Sequence, residues 1–418
     1  MHFFEYKGKE LYAEDVPVRA LAEKYGTPLY IYSYRTIERH FRAYDEAYKA
    51  FPHIICYALK ANTNGAILRA LAKNGGGADI VSGGELYRAL QAGIPSDRIV
   101  YAGVGKTEEE IRFALATGIL MFNVESEDEL REIDRVAGTM KKKAPIALRI
   151  NPDIDPQTHP YISTGLKENK FGIAIENALE NYRLASGLKH VKVVGVHKHI
   201  GSQITKLSPF VDAMKRILDL VDELKRRKFD IRYLDIGGGL GIPYLDEAPP
   251  EPGDLAKGLL PLVDGRKITL VMEPGRSIVG NAGILVTKTL YLKKGGGKDY
   301  VIVDAGMNDL MRPSLYGAYH HIIPVVKNRR GKITADVVGP ICESGDFLAK
   351  RRHIEKVNRG EYLAVMSAGA YGMSMSSNYN SRPSAAEVMV KGRTHSLIRK
   401  RGTYEDLVRD EQVPGYLR

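Results

Sequence analysis

The stretch HIICYALKANTNGAILRALAKNGGGADIVS, residues 53–82, decides the reading of the fold. It opens on an apolar, β-branched run, HIICYAL (53–59), the length of one strand. NGAILRALAKNG (64–75) then repeats apolar residues at spacings of three and four and stops on Asn-Gly, the pattern of an amphipathic helix and its end. ADIVS (78–82) is a second short apolar run. Strand, helix and strand in succession make a βαβ unit, whose two strands lie parallel in one sheet.

The unit recurs after ADIVS. Further strand-like runs are RIVYAG (98–103), LMFNVE (120–125), IALRIN (146–151), VVGVHKHI (193–200), IRYLDIGG (231–238) and ITLVMEP (268–274). Helical patterns such as SGGELYRALQAGI (82–94) and TEEEIRFALATGI (107–119) separate them, and ESEDELREIDRVA (125–137) opens with the acidic first turn that suits a helix N-terminus. Eight such units fit the roughly 250 residues of a (β/α)8 TIM-type barrel, with a doubly wound open sheet as the alternative. Beyond about residue 280 the strands follow one another with little helix between them, as in GILVTKTLYLKK, YVIVDAG, ITADVVGP and AEVMVKG, which predicts an all-β domain. The expected division is a barrel over 29–278, a C-terminal β-domain over 279–418, and an N-terminal segment, 1–28, that completes the β-domain.

Composition narrows the function classes. The chain has 418 residues, 44% hydrophobic and 27% charged, as ordinary globular proteins do. Its net charge of +11 is scattered, and KRRK (225–228) and KRR (350–352) are short, so solvated surface faces are expected rather than nucleic acid; anionic small molecules suit the charge as well. Two cysteines, Cys56 and Cys342, form no disulfide framework, and the opening residues MHFFEYKGKELYAED carry acids and no apolar core. A cytoplasmic protein without a membrane span is expected.

In a barrel of this kind the reactive groups stand at the C-terminal ends of the strands. Those ends hold Lys60, Asp79, Arg149, Asn151, His197, His199, Ser202, Gly237, Gly238, Gly239, Glu273 and Arg276. Each has a plainer reading beside the functional one. Lys60 suits a surface lysine or a nucleophile whose amine is tuned by apolar surroundings. His199 suits a satisfied core histidine, Glu273 a helix cap, and Cys342 an inert thiol. The three glycines after the seventh strand favour a phosphate cradle over a mere turn, because barrels often bind phosphate there, and they lack the spacing of a dinucleotide fingerprint. No carboxylate or cysteine pair accompanies the two histidines, so no metal is expected. A lysine, a phosphate cradle and a carboxylate together suit pyridoxal phosphate, which needs an amine, a phosphate site and a partner for its ring nitrogen.

The stretches CYALKAN (56–62), GADIVSGGE (77–85), HKHIGSQ (197–203), DIGGGLG (235–241), EPGRS (273–277), DAGMNDLMRPSLY (304–316), GPICESGD (339–346) and GAYG (369–372) resemble, in order and over almost the whole chain, those of the fold-type III pyridoxal-phosphate decarboxylases with an alanine-racemase-like barrel, and within them the diaminopimelate decarboxylase family. The resemblance implies that Lys60 forms the Schiff base with pyridoxal 5'-phosphate, that Glu273 pairs with its ring nitrogen and that His199 stacks on its ring. Ser202, Gly237, Gly238, Gly239, the backbone of Glu273, Pro274, Gly275 and Arg276, and the hydroxyl of Tyr371 would take the phosphate, with Asp79 in support.

On the substrate side the resemblance implies Arg276, Arg312 and Tyr316 on the distal carboxylate of meso-diaminopimelate, Glu343 on its distal ammonium, Tyr371 nearby, and Cys342 as proton donor. Cys342 and Glu343 would act across a homodimer interface. The implied reaction yields L-lysine and CO2, the last step of lysine biosynthesis. An arginine fork suits a carboxylate, which ornithine lacks at its far end. The rivals are sister decarboxylases acting on carboxynorspermidine, ornithine or arginine, and a barrel that binds pyridoxal phosphate without catalysis. Lys198, between the two histidines, points to the opposite strand face and is given no part in the chemistry. The polar, glycine-bearing segment 159–173 is read either as a mobile lid or as a plain loop.

Overall fold

The structure is a computed structural model that describes residues 2–155 and 170–418. Contacts divide the chain into two compact units, one of Ile37–Ile278 and one of Met1–Thr36 with Val279–Arg418.

The first unit is the barrel. Its strands are β1 (His53–Ala58), β2 (Gly77–Ile80), β3 (Ile99–Tyr101), β4 (Met121–Val124), β5 (Ala144–Asn151), β6 (Val191–His197), β7 (Tyr233–Asp235) and β8 (Thr269–Met272). Each pairs in parallel with the next, and β8 returns to β1, which closes the ring. The open-sheet alternative is thereby excluded. Helices α1 (Gly65–Lys73), α2 (Gly83–Gln91), α3 (Glu108–Thr117), α4 (Glu127–Thr139), α5 (Ala178–Gly187), α6 (Ser208–Arg226) and α7 (Pro252–Val263) follow the first seven strands. Asn64, Ser82, Thr107 and Ser126 cap the first four, each side-chain oxygen accepting a backbone N–H of the first turn. The strand-to-helix turns at the barrel mouth are thus fixed by local chemistry.

Strand register builds two layers inside the barrel. Cys56, Val100, Met121, Ala147 and Val271 belong to one buried apolar cluster. Two residues further along their strands, on the same face, come Ala58, Ala102, Asn123, Arg149 and Glu273. Asp79 pairs with Ala58 and Val100, Asn123 with Ala147, and His197 with both Arg149 and Asp235. A polar layer therefore lies above an apolar plug, at the end where the strands finish.

The second unit holds a mixed sheet in the order Phe347–Glu355, Lys332–Val338, Lys298–Val303, Gly283–Gly295, Leu29–Ser33, Ala386–Lys391 and Thr394–Arg399, with Tyr362–Val365 and Ile322–Pro324 branching from it. A small sheet of Phe4–Lys7, Glu10–Ala13 and Val16–Pro17 shares its core, where Phe4, Leu11 and Leu21 pack with Ile284, Val325 and Val388. One expectation changes here. Residues 29–36, expected in the barrel, belong to this unit: Leu29–Ser33 pairs with Gly283–Gly295 and Ala386–Lys391 and is buried at every position, so its apolar run gives no sign of which sheet it joins. KRR (350–352), expected on a solvated face, lies in the strand Phe347–Glu355 at the end of the sheet, where charged residues discourage further pairing.

Candidate active site

Lys60 stands just past β1, in a short 3-10 turn, Leu59–Ala61, rather than in the strand itself. Its Nζ lies 2.7 Å from Asp79 Oδ2. Asp79 is fully buried, and desolvation, with Glu273 adding to it and Lys60 opposing it, raises its pKa to about 7. At the end of β8, the strand beside β1, Glu273 Oε2 lies 3.4 Å from His197 Nε2. Burial pushes the Glu273 carboxyl up, and its contact with His197 and the charge of Lys60 pull it back below the usual carboxylate range, so Glu273 carries the charge. Burial, with Arg149 and Lys60 nearby, holds the His199 imidazole well below its ordinary pKa and neutral.

The glycine loop follows β7 directly. Gly237 and Gly239 have φ of +67° and +111°, a region that favours glycine. A Cβ on Gly238 would come within 2.2 Å of the Glu273 carbonyl oxygen, so this backbone must run bare against the end of β8. Gly237 N–H donates to Asp235 Oδ1 and Gly238 N–H to His199 Nδ1, which fixes the loop and orients the imidazole. Beside it, the buried Arg276 donates from Nε and Nη2 to Ser202 Oγ, at 3.3 and 3.1 Å, and from Nη1 to the Tyr244 hydroxyl. A guanidinium, a hydroxyl and bare backbone at one place suit an anion such as a phosphate. Pro274 and Gly275 continue the same turn, and the Pro274 carbonyl accepts from Ala58 N–H in β1.

Lys60, Asp79, His199, Ser202, Gly237, Gly238, Gly239, Glu273, Pro274, Gly275 and Arg276 thus all lie in the barrel unit at its polar end. Arg312, Tyr316, Cys342, Glu343 and Tyr371 lie in the other unit. Arg312 is buried at the start of a short helix, Arg312–Tyr316, and its Nη1 donates to His320 Nε2 at 2.9 Å, while His320 Nδ1–H donates to the Met366 carbonyl. Cys342 is exposed, and its backbone N–H donates to Asn380 Oδ1 at 2.7 Å. Tyr371 sits at φ +57°. Of the segment 159–173, residues up to 169 lie outside the described ones; Gly172, next to it, donates its N–H to Glu125 Oε2.

The register exposes residues that sequence reasoning passed over. Asn123 donates from Nδ2 to Asp235 Oδ2 and to Glu273 Oε1, at 3.0 and 3.2 Å. Asp235 was visible in DIGGGLG, but Asn123 is hidden in an apolar strand. His197, Asp235 and Glu273 bring ligand atoms within 4.8 Å of one another, yet the Asn123 amide hydrogens point at both carboxylates, where they would repel a cation. Pyridoxal phosphate fits these residues better. A half-exposed amine, an ionised carboxylate on the neighbouring strand and an anion cradle converge, and buried acceptors at Asp79 Oδ1 and Asn123 Oδ1 have no hydrogen-bond partner among the described residues.

That combination of closed barrel, strand-end lysine and glycine cradle is the architecture of a pyridoxal-dependent decarboxylase, and residues 34–280 match the family model for its pyridoxal-binding domain. Relatives extend the likeness to both units. The diaminopimelate decarboxylase of Aquifex aeolicus is 56% identical over 97% of this chain and 96% of its own, and that of Haemophilus influenzae 52% identical over 97% and 98%. The solved structure of diaminopimelate decarboxylase from M. jannaschii in co-complex with L-lysine superposes with a TM-score of 0.94 at 43% identity, covering 99% of each chain. The chain belongs to the diaminopimelate decarboxylase family.

Proposed function

We propose that this chain removes CO2 from meso-2,6-diaminopimelate with pyridoxal 5'-phosphate and releases L-lysine. The observation that carries the reading is the polar layer of the barrel, where the Lys60 amine stands 2.7 Å from Asp79 and its charge acts on the ionised Glu273, above an apolar plug. When bound, the cofactor supplies an electron sink for the pair left by departing CO2. Lys60 holds it through its amine and carries a proton at Nζ beside Asp79. Glu273 holds the ring-nitrogen proton, and the neutral His199, oriented by Gly238 N–H, keeps the ring plane. Arg276 and Ser202 with the glycine loop grip the phosphate and so fix the pivot of the whole group.

The substrate assignments rest on the family resemblance. Arg312 and Tyr316 take the distal carboxylate and Glu343 the distal ammonium, with Arg276 and Tyr371 at the border between cofactor and substrate. The His320 contact pre-orients the Arg312 fork, which favours a planar carboxylate over a flexible amine. Cys342 delivers the proton from its thiol to the carbon that lost CO2. We place Cys342 and Glu343 in the site of a second copy, so that the working form is a homodimer, in the cytoplasm. No described helix is long and apolar enough to cross a membrane.

The test is CO2 release from purified protein with added pyridoxal phosphate, run in parallel on meso-diaminopimelate, carboxynorspermidine, L-ornithine and L-arginine. Release from diaminopimelate alone, with L-lysine formed, supports the whole reading. Release from another substrate keeps Lys60 and overturns the substrate assignments. Cofactor binding without release from any of them favours the non-catalytic rival.

A further inference from the structure

Behind Glu273 lies a second buried acid that the reading above does not use. Asp235 ends β7 and is wholly buried, its side chain on the inward face beside His197. Its carboxyl group and that of Glu273 bring oxygen atoms within 4.8 Å of each other. Asn123, from β4 on the far side of the ring, donates one amide to both acids. Gly237 N–H donates to Asp235 Oδ1, so the same carboxyl group also anchors the first glycine of the loop. Two buried carboxyl groups this close, sharing one amide donor, do not both ionise in a site this dry, because their charges repel.

We propose that Asp235 is a positioning residue, a neutral carboxylic acid that donates its hydrogen bond to the Glu273 carboxylate and, with Asn123, holds that carboxylate in one orientation. The inference rests on the pyridoxal reading of Glu273. The other groups around the pair agree with this division of charge. The contact with His197 and the charge of Lys60 favour the Glu273 anion. Asp235 is held far above the usual carboxylate range, first by burial and then by the charge of Glu273. Lys198, buried on the other face of its strand, acts in the opposite sense. Glu273 therefore meets the ring nitrogen as a fixed, single anion, with its remaining lone pairs occupied by Asp235 and Asn123. One residue also ties the group that serves the ring nitrogen to the loop that serves the phosphate, which would set the distance between the two ends of the cofactor site.

The first readout needs neither cofactor nor substrate. Infrared spectra of the full chain and of Asp235→Asn, taken in heavy water at about pH 8.5, lie above the pKa of about 7 of the buried acids Asp79 and Asp309. The wild-type-minus-variant difference is expected to contain the carbonyl stretch of a protonated carboxylic acid, and its absence would overturn the proposal. The second readout is kinetic, in the loaded enzyme. Asp235→Asn stays neutral and keeps both an acceptor for Gly237 and a donor toward Glu273, so its kcat should remain within about tenfold of wild type. Asp235→Leu should lose a further ~10- to 100-fold in kcat with little change in KM, as outer-shell partners commonly do. An Asn variant as impaired as the Leu variant would sink the idea. Should Asp235→Leu not fold, the infrared band and the Asn variant still decide. If the wild-type protein shows the band but releases no CO2 from any substrate, the proposed function fails while the shared proton stands.

Discussion

The Lys60 amine stands 2.7 Å from Asp79 Oδ2, a half-exposed cation against a fully buried anion. Desolvation raises Asp79 to about 7, and the Lys60 charge is among the effects that keep it from going higher. Removing that charge must therefore move the acid upward. In cofactor-free Lys60→Met, the Asp79 carboxyl, followed by carbon NMR, should titrate above about 7, whereas wild type titrates near it. The same variant should neither show the absorbance of covalently held cofactor nor turn over. An unchanged Asp79 titration would mean that the pair does not form in solution, and near-normal turnover would remove Lys60 from the chemistry.

Lys198 supplies a stability prediction from the opposite face of β6. Its side chain is fully buried, its Nζ has no hydrogen-bond partner among the described residues, and it lies 5.9 Å from the Phe210 ring centroid, on α6. Burial is the main cause that lowers its pKa from 10.5 to about 8. A base that is harder to protonate folded than unfolded destabilises the fold at every pH where the unfolded chain is protonated at that site, and most where both states must carry the proton. The cost is therefore fully present below pH 8 and disappears above the unfolded value of 10.5. At ~1.4 kcal/mol per pKa unit it is on the order of 3 kcal/mol. Lys198→Met should raise the stability measured by denaturant unfolding at neutral pH by that order, and the gain should shrink steadily from pH 8 to pH 10.5. A gain that does not depend on pH would reflect packing alone.

These two lysines mark how far the sequence carries. Lys60 was legible because a charge at the tip of an apolar strand stands out, and the same contrast picked out His199, Glu273 and the glycines after β7. The βα period was legible because helical spacing alternates with apolar runs, and the first four helices open on the capping residues Asn64, Ser82, Thr107 and Ser126. Other features need neighbours that a linear reading lacks. Asn123 and Asp235 acquire their meaning only when closing the ring sets β4 opposite β7 and β8. The burial of Lys198 depends on α6 covering the outer face of its strand. The barrel boundary was placed too early, at 29, because a strand central in any sheet is apolar on both faces, and only the partners of Leu29–Ser33 reveal which sheet it joins.

Arg312 tests the substrate reading. Its Nη1 is held by His320 Nε2, and His320 is held in turn by the Met366 carbonyl, so the guanidinium is set in place before any ligand arrives. Arg312→Lys keeps the charge but loses the planar fork. It should raise the KM for diaminopimelate and lower kcat/KM about 100-fold or more, within the range for sites that lose a matched polar contact. The spectrum of the bound cofactor should stay as in wild type. A change in that spectrum with KM unaltered would place Arg312 on the cofactor instead.

Cys342 depends on a residue 38 positions away. Asn380 accepts the Cys342 backbone N–H through Oδ1 at 2.7 Å, and it does so from a left-handed backbone conformation, φ +54° and ψ +31°. Asparagine tolerates that region better than most residues, so side chain and backbone both argue for its presence here. The two contributions can be separated. Asp at 380 keeps an acceptor, Gly keeps the backbone but loses the acceptor, and Ala loses the acceptor and strains the backbone. If the contact fixes the thiol for proton delivery, kcat should fall in the order wild type, Asn380→Asp, Asn380→Gly, Asn380→Ala, with the last about tenfold below wild type, in the range of lost supporting contacts. The variants should also be non-additive with Cys342→Ala, because a misplaced thiol and a missing one fail at the same step. Full additivity in that double-mutant cycle would show that Asn380 acts on stability or dimer formation, and that the loop carrying Cys342 is set by something else.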